Sequence, residues 1–126
     1  MSIAASAEVV TFIHTRDRAK ATAFYSETLG LEFTGDDAFA SVFKLNGARL
    51  RITQIEDHVA HAHPVLGWEV QDIAATIKAL RDRGVTMNIY EGFGQDELGI
   101  WTSPDGKRKV AFFNDPDGNG LTLTSD

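Results

Sequence analysis

Residues 112–124 read Phe-Phe-Asn-Asp-Pro-Asp-Gly-Asn-Gly-Leu-Thr-Leu-Thr, a stretch that decides how the second half of the chain closes. It predicts two short strands joined by a turn, because Pro presets φ while Asp, Gly and Asn supply local hydrogen bonds and positive φ. Side chains alternate across a strand, so Leu121 and Leu123 should share one face and Thr122 and Thr124 the other. We therefore predict a closing β-hairpin with one apolar and one polar face.

The composition is that of one globular domain. The chain has 126 residues, of which 43% are hydrophobic and 24% charged, enough for a substantial core. Its net charge is −6 and its longest basic run is residues 107–109, so nucleic acid is not expected as a partner. Cysteine is absent, which excludes disulfides and thiolate sites. Without a signal-peptide pattern or an apolar run near the roughly 20 residues of a membrane span, we expect a cytoplasmic protein with no membrane partner.

The first half has the pattern of one strand, one helix and three further strands. Residues 8–15 are β-branched and aromatic, Asp17 is placed to cap the helix, and Gly30 is placed to end it. Asn46-Gly47 is a strong hairpin signal between the last two strands. The strands predicted after the helix begin at 31–34 and then cover 39–45 and 48–55.

A linker, residues 56–64, precedes a second copy of this pattern. Asp72 is again placed as an N-cap, and Gly84 as the residue that ends the helix. Residues 91–98 are predicted to form a mobile loop. The strands predicted in this half cover 65–70, 85–90, 99–103, 109–113 and the last strand of the closing hairpin.

The two halves match by position. Val10 and Val65 are 55 positions apart, as are Asp17 and Asp72. We interpret the chain as an α+β domain of two tandem βαβββ units, in which curved mixed sheets surround a cavity suited to a ligand. The single domain is 1–126, with a first unit of about 8–55, a linker of 56–64 and a second unit of about 65–125.

Two sets of scaffold residues carry a resemblance to a known family. In the first unit they are Asp17, Phe24, Tyr25, Leu29, Gly30 and Leu31. In the second they are Val70, Asp72, Ile73, Leu80, Gly84, Val85, Phe113 and the run from Asp115 to Asn119. On these residues the chain resembles the vicinal oxygen chelate superfamily, which holds glyoxalase I, extradiol dioxygenases and the bleomycin and fosfomycin resistance proteins. The resemblance covers nearly the whole chain and implies a tandem βαβββ fold, without naming a chemistry.

The resemblance also implies where a metal would bind. In metal-dependent members, four strand positions that face the cavity hold His, Glu, His and Glu. Carried onto this chain, those positions are Val10, Arg51, Val65 and Thr122. Valine has no donor atom, the guanidinium of Arg51 repels a cation, and one hydroxyl cannot hold a divalent ion. We therefore expect no metal and no cofactor.

The cavity side of the strands supplies the candidate ligand-binding residues. Arg51 offers a planar fork for an anionic or carbonyl group, unless it pairs with Glu69 instead. Phe93 and Trp101 flank the predicted loop, where they would stack on a planar ligand. The candidates are Phe12, Arg51, Thr53, Glu69, Phe93, Trp101 and Thr122.

Two side chains are candidates for acid/base catalysis. Glu69 would act as a general base if apolar surroundings raised its pKa, although a rim carboxylate or a partner for Arg51 is the simpler interpretation. His14 has a pKa suited to proton transfer, but it is expected at the exposed end of a strand. Neither side chain is assigned a catalytic role by the sequence.

The linker holds three histidines, His58, His61 and His63. Their ring nitrogens are donors that zinc or nickel accepts. Pro64 keeps His63 extended and away from a helical arrangement, and such tracts are compositional hints only. The favoured interpretation is a solvent-exposed or adventitious metal-binding run.

The leading functional hypothesis is a metal-independent member of the superfamily that binds a small organic molecule, such as an antibiotic, and sequesters it. Its expected partners are that ligand and a second copy of the chain in a homodimer. The alternative is a lyase, isomerase or dioxygenase that uses acid/base groups such as Glu69, His14 or Glu8, or a non-standard metal site. A third hypothesis is a partner-binding module whose pocket is filled by its own side chains.

Overall fold

The computed structural model describes residues 3–126. The chain forms two compact units, the first ending at Val59 and the second running from Ala60 to Asp126. Each unit is a four-stranded mixed sheet with one principal helix, which confirms the predicted tandem βαβββ fold. No helix within residues 3–126 is long and apolar enough to cross a membrane.

The first unit has the strand order β1-β4-β3-β2. Strand β1 runs parallel to β4, and the β2–β3 and β3–β4 pairs are antiparallel. Its elements are α1 (Ile3–Ser6), β1 (Val9–Thr15), α2 (Arg18–Ala23), a π-helical turn (Phe24–Thr28), β2 (Glu32–Asp36), β3 (Ala40–Leu45) and β4 (Ala48–Gln54). The hairpin predicted over Asn46-Gly47 is confirmed, since β3 and β4 end and begin beside it and Gly47 has φ 78°.

Helix α2 begins at the predicted N-cap and stops before the predicted Gly30, which has φ 75°, but its last turn is π-helical. A side-chain oxygen of Asp17 accepts a hydrogen bond from the N–H of Lys20 at 3.1 Å, which confirms the N-cap. After Ala23 the helix widens into a π-helical turn, in which the N–H of Leu29 donates to the carbonyl of Phe24 at 3.0 Å. Apolar spacing does not reveal this turn, because one inserted residue leaves the apolar face pointing to the core.

The second unit has the strand order β5-β8-β7-β6, which repeats the order of the first. Strand β5 runs parallel to β8, and β6–β7 and β7–β8 are antiparallel. Its elements are β5 (Pro64–Glu69), α3 (Ile73–Asp82), β6 (Trp101–Thr102), β7 (Lys109–Asn114) and β8 (Gly120–Ser125). A side-chain oxygen of Asp72 accepts from the N–H of Ala75 at 3.0 Å, which confirms the second N-cap.

The strand predicted over residues 85–90 is wrong. Val85 and Met87 are buried and alternate with exposed residues, which produced a strand-like pattern. The segment joins no ladder, however, and its backbone bond to the sheet runs from the N–H of Asn88 to the carbonyl of Phe112 at 2.7 Å. The edge position is taken by the short strand β6 instead, so three strands follow α3, as three follow α2.

The closing hairpin is confirmed. Asp115 is buried in its turn, where its carboxylate accepts hydrogen bonds from the N–H groups of Asp117 and Asn119, both at 2.9 Å. The Asn119 side chain donates a further bond to it at 2.8 Å. Since a carboxylate that accepts several bonds is held firmly, this turn sets the register of β7 against β8.

The apolar face of each sheet is buried on the side of the principal helix, as the alternation predicted. In the first unit the buried side chains include Ile13, Ala21, Tyr25, Phe43, Leu50 and Ile52. In the second they include Ile73, Ile77, Leu80, Phe113, Leu121 and Leu123. On β5, Leu66 and Trp68 point to the same face of the sheet as these core residues, and both are half-buried. The opposite face of each sheet, called here its open face, remains accessible in the chain.

Candidate functional site

The open face of the second sheet carries aromatic and hydroxyl side chains. The register places Phe112, Thr122 and Gly67 in one row across β7, β8 and β5. The next row holds Trp101, Val110, Thr124 and Glu69. Paired residues on neighbouring strands point to the same face, so these rows place the predicted site residues Trp101, Thr122 and Glu69 on one face of the sheet.

Phe93, from the loop between α3 and β6, lies at the centre of an aromatic cluster on this face. Its ring centroid is 5.8 Å from that of Trp101, with the planes tilted by 30°, and 6.0 Å from that of Phe112. Tyr90 completes the cluster, with centroids 6.2 Å from Phe93 and 5.6 Å from Phe112 in edge-on arrangements. These separations are those of favourable ring pairs, so the cluster presents a stable aromatic surface.

Gln95 holds the loop that carries Phe93. Its side-chain amide donates to the carbonyls of Asn88 at 2.9 Å and Gly99 at 2.8 Å. Its side-chain oxygen accepts from the N–H of Tyr90 at 2.8 Å. One glutamine therefore ties the two ends of the loop together and places Tyr90 and Phe93 beside the sheet.

A groove of about 480 Å³ lies beside the aromatic cluster. Its volume falls within the range of about 300–1,000 Å³ that is usual for small-molecule sites. The residues that line it are His61, Ala62, Pro64, Asn88, Tyr90, Phe93, Phe112, Phe113, Asn114, Gly118, Gly120 and Leu121. Most are apolar or aromatic, and the amides of Asn88 and Asn114 are joined by a hydrogen bond of 3.0 Å. The groove thus offers an apolar surface with a few polar groups.

Two glycines set the shape of this face. A Cβ on Gly67 would lie 2.0 Å from the Oγ1 of Thr122, so the absent side chain leaves room for that hydroxyl. A Cβ on Gly120 would lie 3.2 Å from the Cα of Pro64, which brings β5 and β8 close at the edge of the groove. Both positions need glycine for close approach rather than for backbone conformation.

The open face of the first sheet is chemically different. Phe12 pairs with Arg51 and His14 with Thr53 in the register of β1 and β4, so these predicted site residues are neighbours. Phe12 is 62% exposed. The guanidinium of Arg51 donates to a carboxylate oxygen of Asp37 at 2.7 Å. Arg51 thus takes its partner from the loop after β2, rather than pairing with Glu69 as the sequence allowed.

The carboxylate of Asp37 is strongly stabilised in its charged form. The Arg51 guanidinium lowers its pKa most, followed by the N–H groups of Phe39 and Ala40, each of which donates to it at 2.8 Å. Together they bring the pKa of Asp37 from 3.8 to about 2. Arg51 is therefore held in place by an anchored acid.

Glu69 is paired as well, with Arg108 of the same unit. The two guanidinium nitrogens of Arg108 donate to its carboxylate at 2.9 and 3.0 Å, and the hydroxyl of Thr124 donates at 2.9 Å. Arg108 and then Thr124 lower the pKa of Glu69. A general base would need a raised pKa, whereas the surroundings of Glu69 lower its pKa.

The histidines form two pairs. The rings of His61 and His63 are stacked, with centroids 5.7 Å apart and planes within 2°. The rings of His14 and His58 meet edge to face at 5.6 Å. No group of three or more His, Asp or Glu side chains suited to a metal ion occurs within residues 3–126.

The family's metal positions do not fit a metal in either unit. In the first unit they are Val10, which has no donor, and Arg51, whose guanidinium is bound to Asp37. In the second they are Val65 and Thr122, which together offer one hydroxyl. A divalent ion needs several oxygen or nitrogen ligands, so these residues give it no site.

Of the residues that line the groove, Phe93 alone is among the ligand-binding candidates predicted from the sequence; Asn88, Tyr90, Phe112 and Asn114 are among those missed. Strand alternation could have found Phe112 and Asn114 once Phe113 was assigned to the core, where the structure places it, because its neighbours must point the other way. Asn88 and Tyr90 had no such signal, since they lie in the segment predicted as a strand. Their positions depend on the bonds that Gln95 makes across the loop.

Comparisons with solved structures show the same fold. A member of the glyoxalase/bleomycin resistance protein/dioxygenase superfamily from Sphaerobacter thermophilus DSM 20745 has a TM-score of 0.74 and 23% identity, over 96% of this chain and 98% of that chain. A glyoxalase/bleomycin resistance protein from Catenulispora Acidiphila DSM 44928 has a TM-score of 0.72 and 23% identity, over 96% and 99%. A lactoylglutathione lyase from Agrobacterium tumefaciens has a TM-score of 0.71 and 18% identity, over 95% and 93%. At these identities the likeness concerns the fold alone.

The fold alone does not assign the chain to a family, but a family model does. No curated protein matches this chain significantly. The model of the Glyoxalase/Bleomycin resistance protein/Dioxygenase superfamily matches residues 9–123, which is nearly the whole chain. The chain therefore belongs to the glyoxalase/bleomycin resistance protein/dioxygenase superfamily.

Proposed function

We propose that this protein binds a small, planar organic molecule without a metal and sequesters it, as a member of the superfamily that handles organic ligands such as antibiotics. The observation that carries the proposal is the aromatic cluster centred on Phe93 beside the groove. A flat ring placed there gains apolar burial and favourable ring contacts, each ring pair contributing about 0.5–1.5 kcal/mol. Binding of this kind requires no side chain to be activated as an acid or a base.

Metal independence follows from the chemistry of the residues at the family's ligand positions. Val10 and Val65 offer no donor, and Arg51 brings a positive charge that is already neutralised by Asp37. A ligand that depended on a bound cation would have nothing to hold the cation at these positions. Binding energy is instead expected from stacking and from the few polar groups of the groove.

We place binding ahead of catalysis because of Glu69. Its carboxylate is bound by Arg108 and Thr124 and has a lowered pKa, which makes it a weaker base than an ordinary glutamate. The other proton-transfer candidate, His14, packs against the ring of His58. Glu69, the carboxylate candidate for the enzymatic alternative, therefore has its pKa shifted away from the value that a general base needs.

A homodimer is part of the proposal. The open face of the first sheet leaves Phe12 62% exposed and Val10 42% exposed. Apolar side chains grouped on one accessible face favour contact with a second protein surface. A two-fold dimer would let each copy cover the same face of the other.

Ligand titration of two variants tests the binding function. A planar aromatic probe such as naphthalene, followed by NMR titration, should bind the natural protein and bind Phe93→Ala at least about tenfold more weakly, since the ring pairs around Phe93 are lost. Phe39→Ala removes an equally large exposed ring outside the groove and should leave the affinity unchanged. Equal affinity for Phe93→Ala and the natural protein would contradict the proposal, as would thermal stabilisation by divalent metals but by no organic probe.

A further inference from the structure

The wall of the groove carries the side-chain amides of Asn88 and Asn114. The Nδ2 of Asn88 donates to the Oδ1 of Asn114 at 3.0 Å, and both residues line the groove. An asparagine amide has one acceptor oxygen and two N–H donors, so a single bond between two amides leaves groups unused. Within residues 3–126, the Oδ1 of Asn88 and the Nδ2 of Asn114 have no hydrogen-bond partner.

This pair of groups does not depend on which way the amides are turned. Exchanging oxygen and nitrogen in both amides reverses the direction of the bond between them. One oxygen and one whole NH2 group still remain unused, with the two residues exchanging roles. The two amides that line the groove therefore offer one unused acceptor oxygen and one unused NH2 donor in either arrangement.

The backbone holds both amides in place. The N–H of Asn88 donates to the carbonyl of Phe112 at 2.7 Å, and the carbonyl of Asn88 accepts from Gln95 at 2.9 Å. Asn114 is the last residue of β7 and pairs with Gly120 of β8. Because these backbone bonds hold both residues, the two side chains are preorganised to bind a ligand in the groove that Phe112 also lines.

The residues that line the groove also make it a poor fit for a charged ligand. None of them is Asp, Glu, Lys or Arg, and His61 is the one titratable group besides Tyr90 among the lining residues. A charged molecule would lose hydration there without gaining an opposite charge. A neutral ligand with one donor and one acceptor on the same edge is the complement of this surface.

We propose that the groove selects flat, neutral ring systems that carry a lactam edge, which is an N–H next to a C=O within a ring. The lactam N–H would donate to the Oδ1 of Asn88, and its carbonyl would accept from the Nδ2 of Asn114. The ring would pack on Phe112, Phe93 and Tyr90. This inference rests on the proposed binding function and names the class of ligand for the same site.

Three matched probes test the inference by NMR titration of the full chain. Quinolin-2(1H)-one has the lactam edge, 1-methylquinolin-2-one lacks its donor, and naphthalene lacks both polar groups. The lactam should bind about tenfold more tightly than the other two, because two hydrogen bonds to otherwise unpaired groups each add a modest net gain. Equal affinity for the three probes would overturn the inference.

Two variants connect the preference to the amide pair. Asn114→Leu removes one amide from an exposed position, and Asn88→Leu removes the other, so either should abolish the preference for the lactam while naphthalene still binds. Gln71→Leu, which removes an exposed carboxamide that does not line the groove, should retain the preference. A preference that survived both asparagine variants would place lactam recognition elsewhere and refute the inference.

The naphthalene titration separates this inference from the proposed function. If naphthalene binds in a Phe93-dependent manner but the lactam has no advantage, the lactam inference fails and the binding function stands. If none of the probes binds, the proposed function fails with it.

Discussion

The two βαβββ units have the same strand order and the same Asp-capped helix, but their open faces differ in chemistry. On the first sheet, Arg51 is paired with Asp37, and Arg49 is paired with Glu8. On the second sheet, the rings of Phe112 and Trp101 contact the ring of Phe93, and Phe112 pairs with Thr122. The helix-covered faces, by contrast, are apolar in both units.

The difference shows which positions of a repeated scaffold are free to change. Residues under the helix must be apolar because their burial stabilises the unit, whichever ligand the protein binds. Residues on the open face carry no such requirement and can adopt the chemistry of a site. A repeat that matches at Asp17 and Asp72 can therefore hold charged pairs in one unit and aromatic rings in the other.

The largest expected effect is a difference in stability between substitutions on the buried face and on the open face of β7. Phe113 is 1% exposed and packs under α3, whereas its neighbour Phe112 is half-buried on the open face. Phe113→Ala should lower the free energy of unfolding by about 3–5 kcal/mol, because it removes a large core side chain and leaves a cavity. Phe112→Ala should cost much less stability and instead weaken the binding of planar aromatic probes. Denaturant unfolding and probe titration measure the two effects.

The first unit supplies the control for this difference. Phe43 is fully buried on β3, at the place in the first sheet that Phe113 has in the second. Phe43→Ala should therefore destabilise the protein about as much as Phe113→Ala. A larger loss of stability in Phe112→Ala than in Phe113→Ala would contradict the division into a buried and an open face.

An intermediate effect concerns the open face of the first unit. If Phe12 lies in a homodimer contact, Phe12→Asp should raise the dissociation constant by more than about tenfold, because it places a charge in a desolvated contact. Val59→Asp introduces the same charge at a residue that is 78% exposed in a loop, and it should leave the assembly unchanged. Sedimentation at several concentrations measures the equilibrium. A protein that is monomeric at all concentrations would contradict the proposed homodimer.

The smallest effect is a pair of pKa changes, one in each unit. Arg51→Gln should return the pKa of Asp37 from about 2 toward 3.8, and Arg108→Gln should raise the lowered pKa of Glu69 toward 4.5. Since the folded-state pKa of Asp37 is depressed, its ion pair contributes stability above pH 3.8, and this contribution is lost as the pH falls toward 2. NMR titration of the carboxyl carbons measures both values.

Each arginine variant is the control for the other. Arg51→Gln should leave the pKa of Glu69 unchanged, and Arg108→Gln should leave that of Asp37 unchanged, because each acid has its partner within its own unit. A Glu69 pKa above its ordinary value in the natural protein would revive its candidacy as a general base and count against the preference for binding over catalysis.

Much of the scaffold could be predicted from local patterns. Asp17 and Asp72 cap helices because their side chains satisfy N–H groups three residues away, a purely local interaction. The alternation of Leu121 to Thr124 assigned the faces of β8 correctly, since the period of two is a property of any strand. The strand predicted over residues 85–90 failed because alternation reports burial and does not reveal whether a neighbouring strand is there to pair.

The candidate site could be predicted only in part. Phe93 and Trp101 were selected for their places beside a loop, and the structure brings their rings together. Asn88 and Asn114 are 26 residues apart and gave no joint signal, although they share a hydrogen bond. The partners of Arg51 and Glu69 were also beyond local patterns, because several acids and bases of suitable charge are present in the chain.

The sequence by itself determined the repeated scaffold, since capping and alternation are properties of individual residues and their near neighbours. It also shows that Val10 and Val65, at positions where the resemblance implies metal ligands, have no donor atoms. Only the tertiary structure decided that Arg51 binds Asp37 and that Glu69 binds Arg108. It also decided that Asn88 meets Asn114 beside the ring of Phe112. These contacts depend on strand register and on the course of a loop, which many residues far apart in the chain set together.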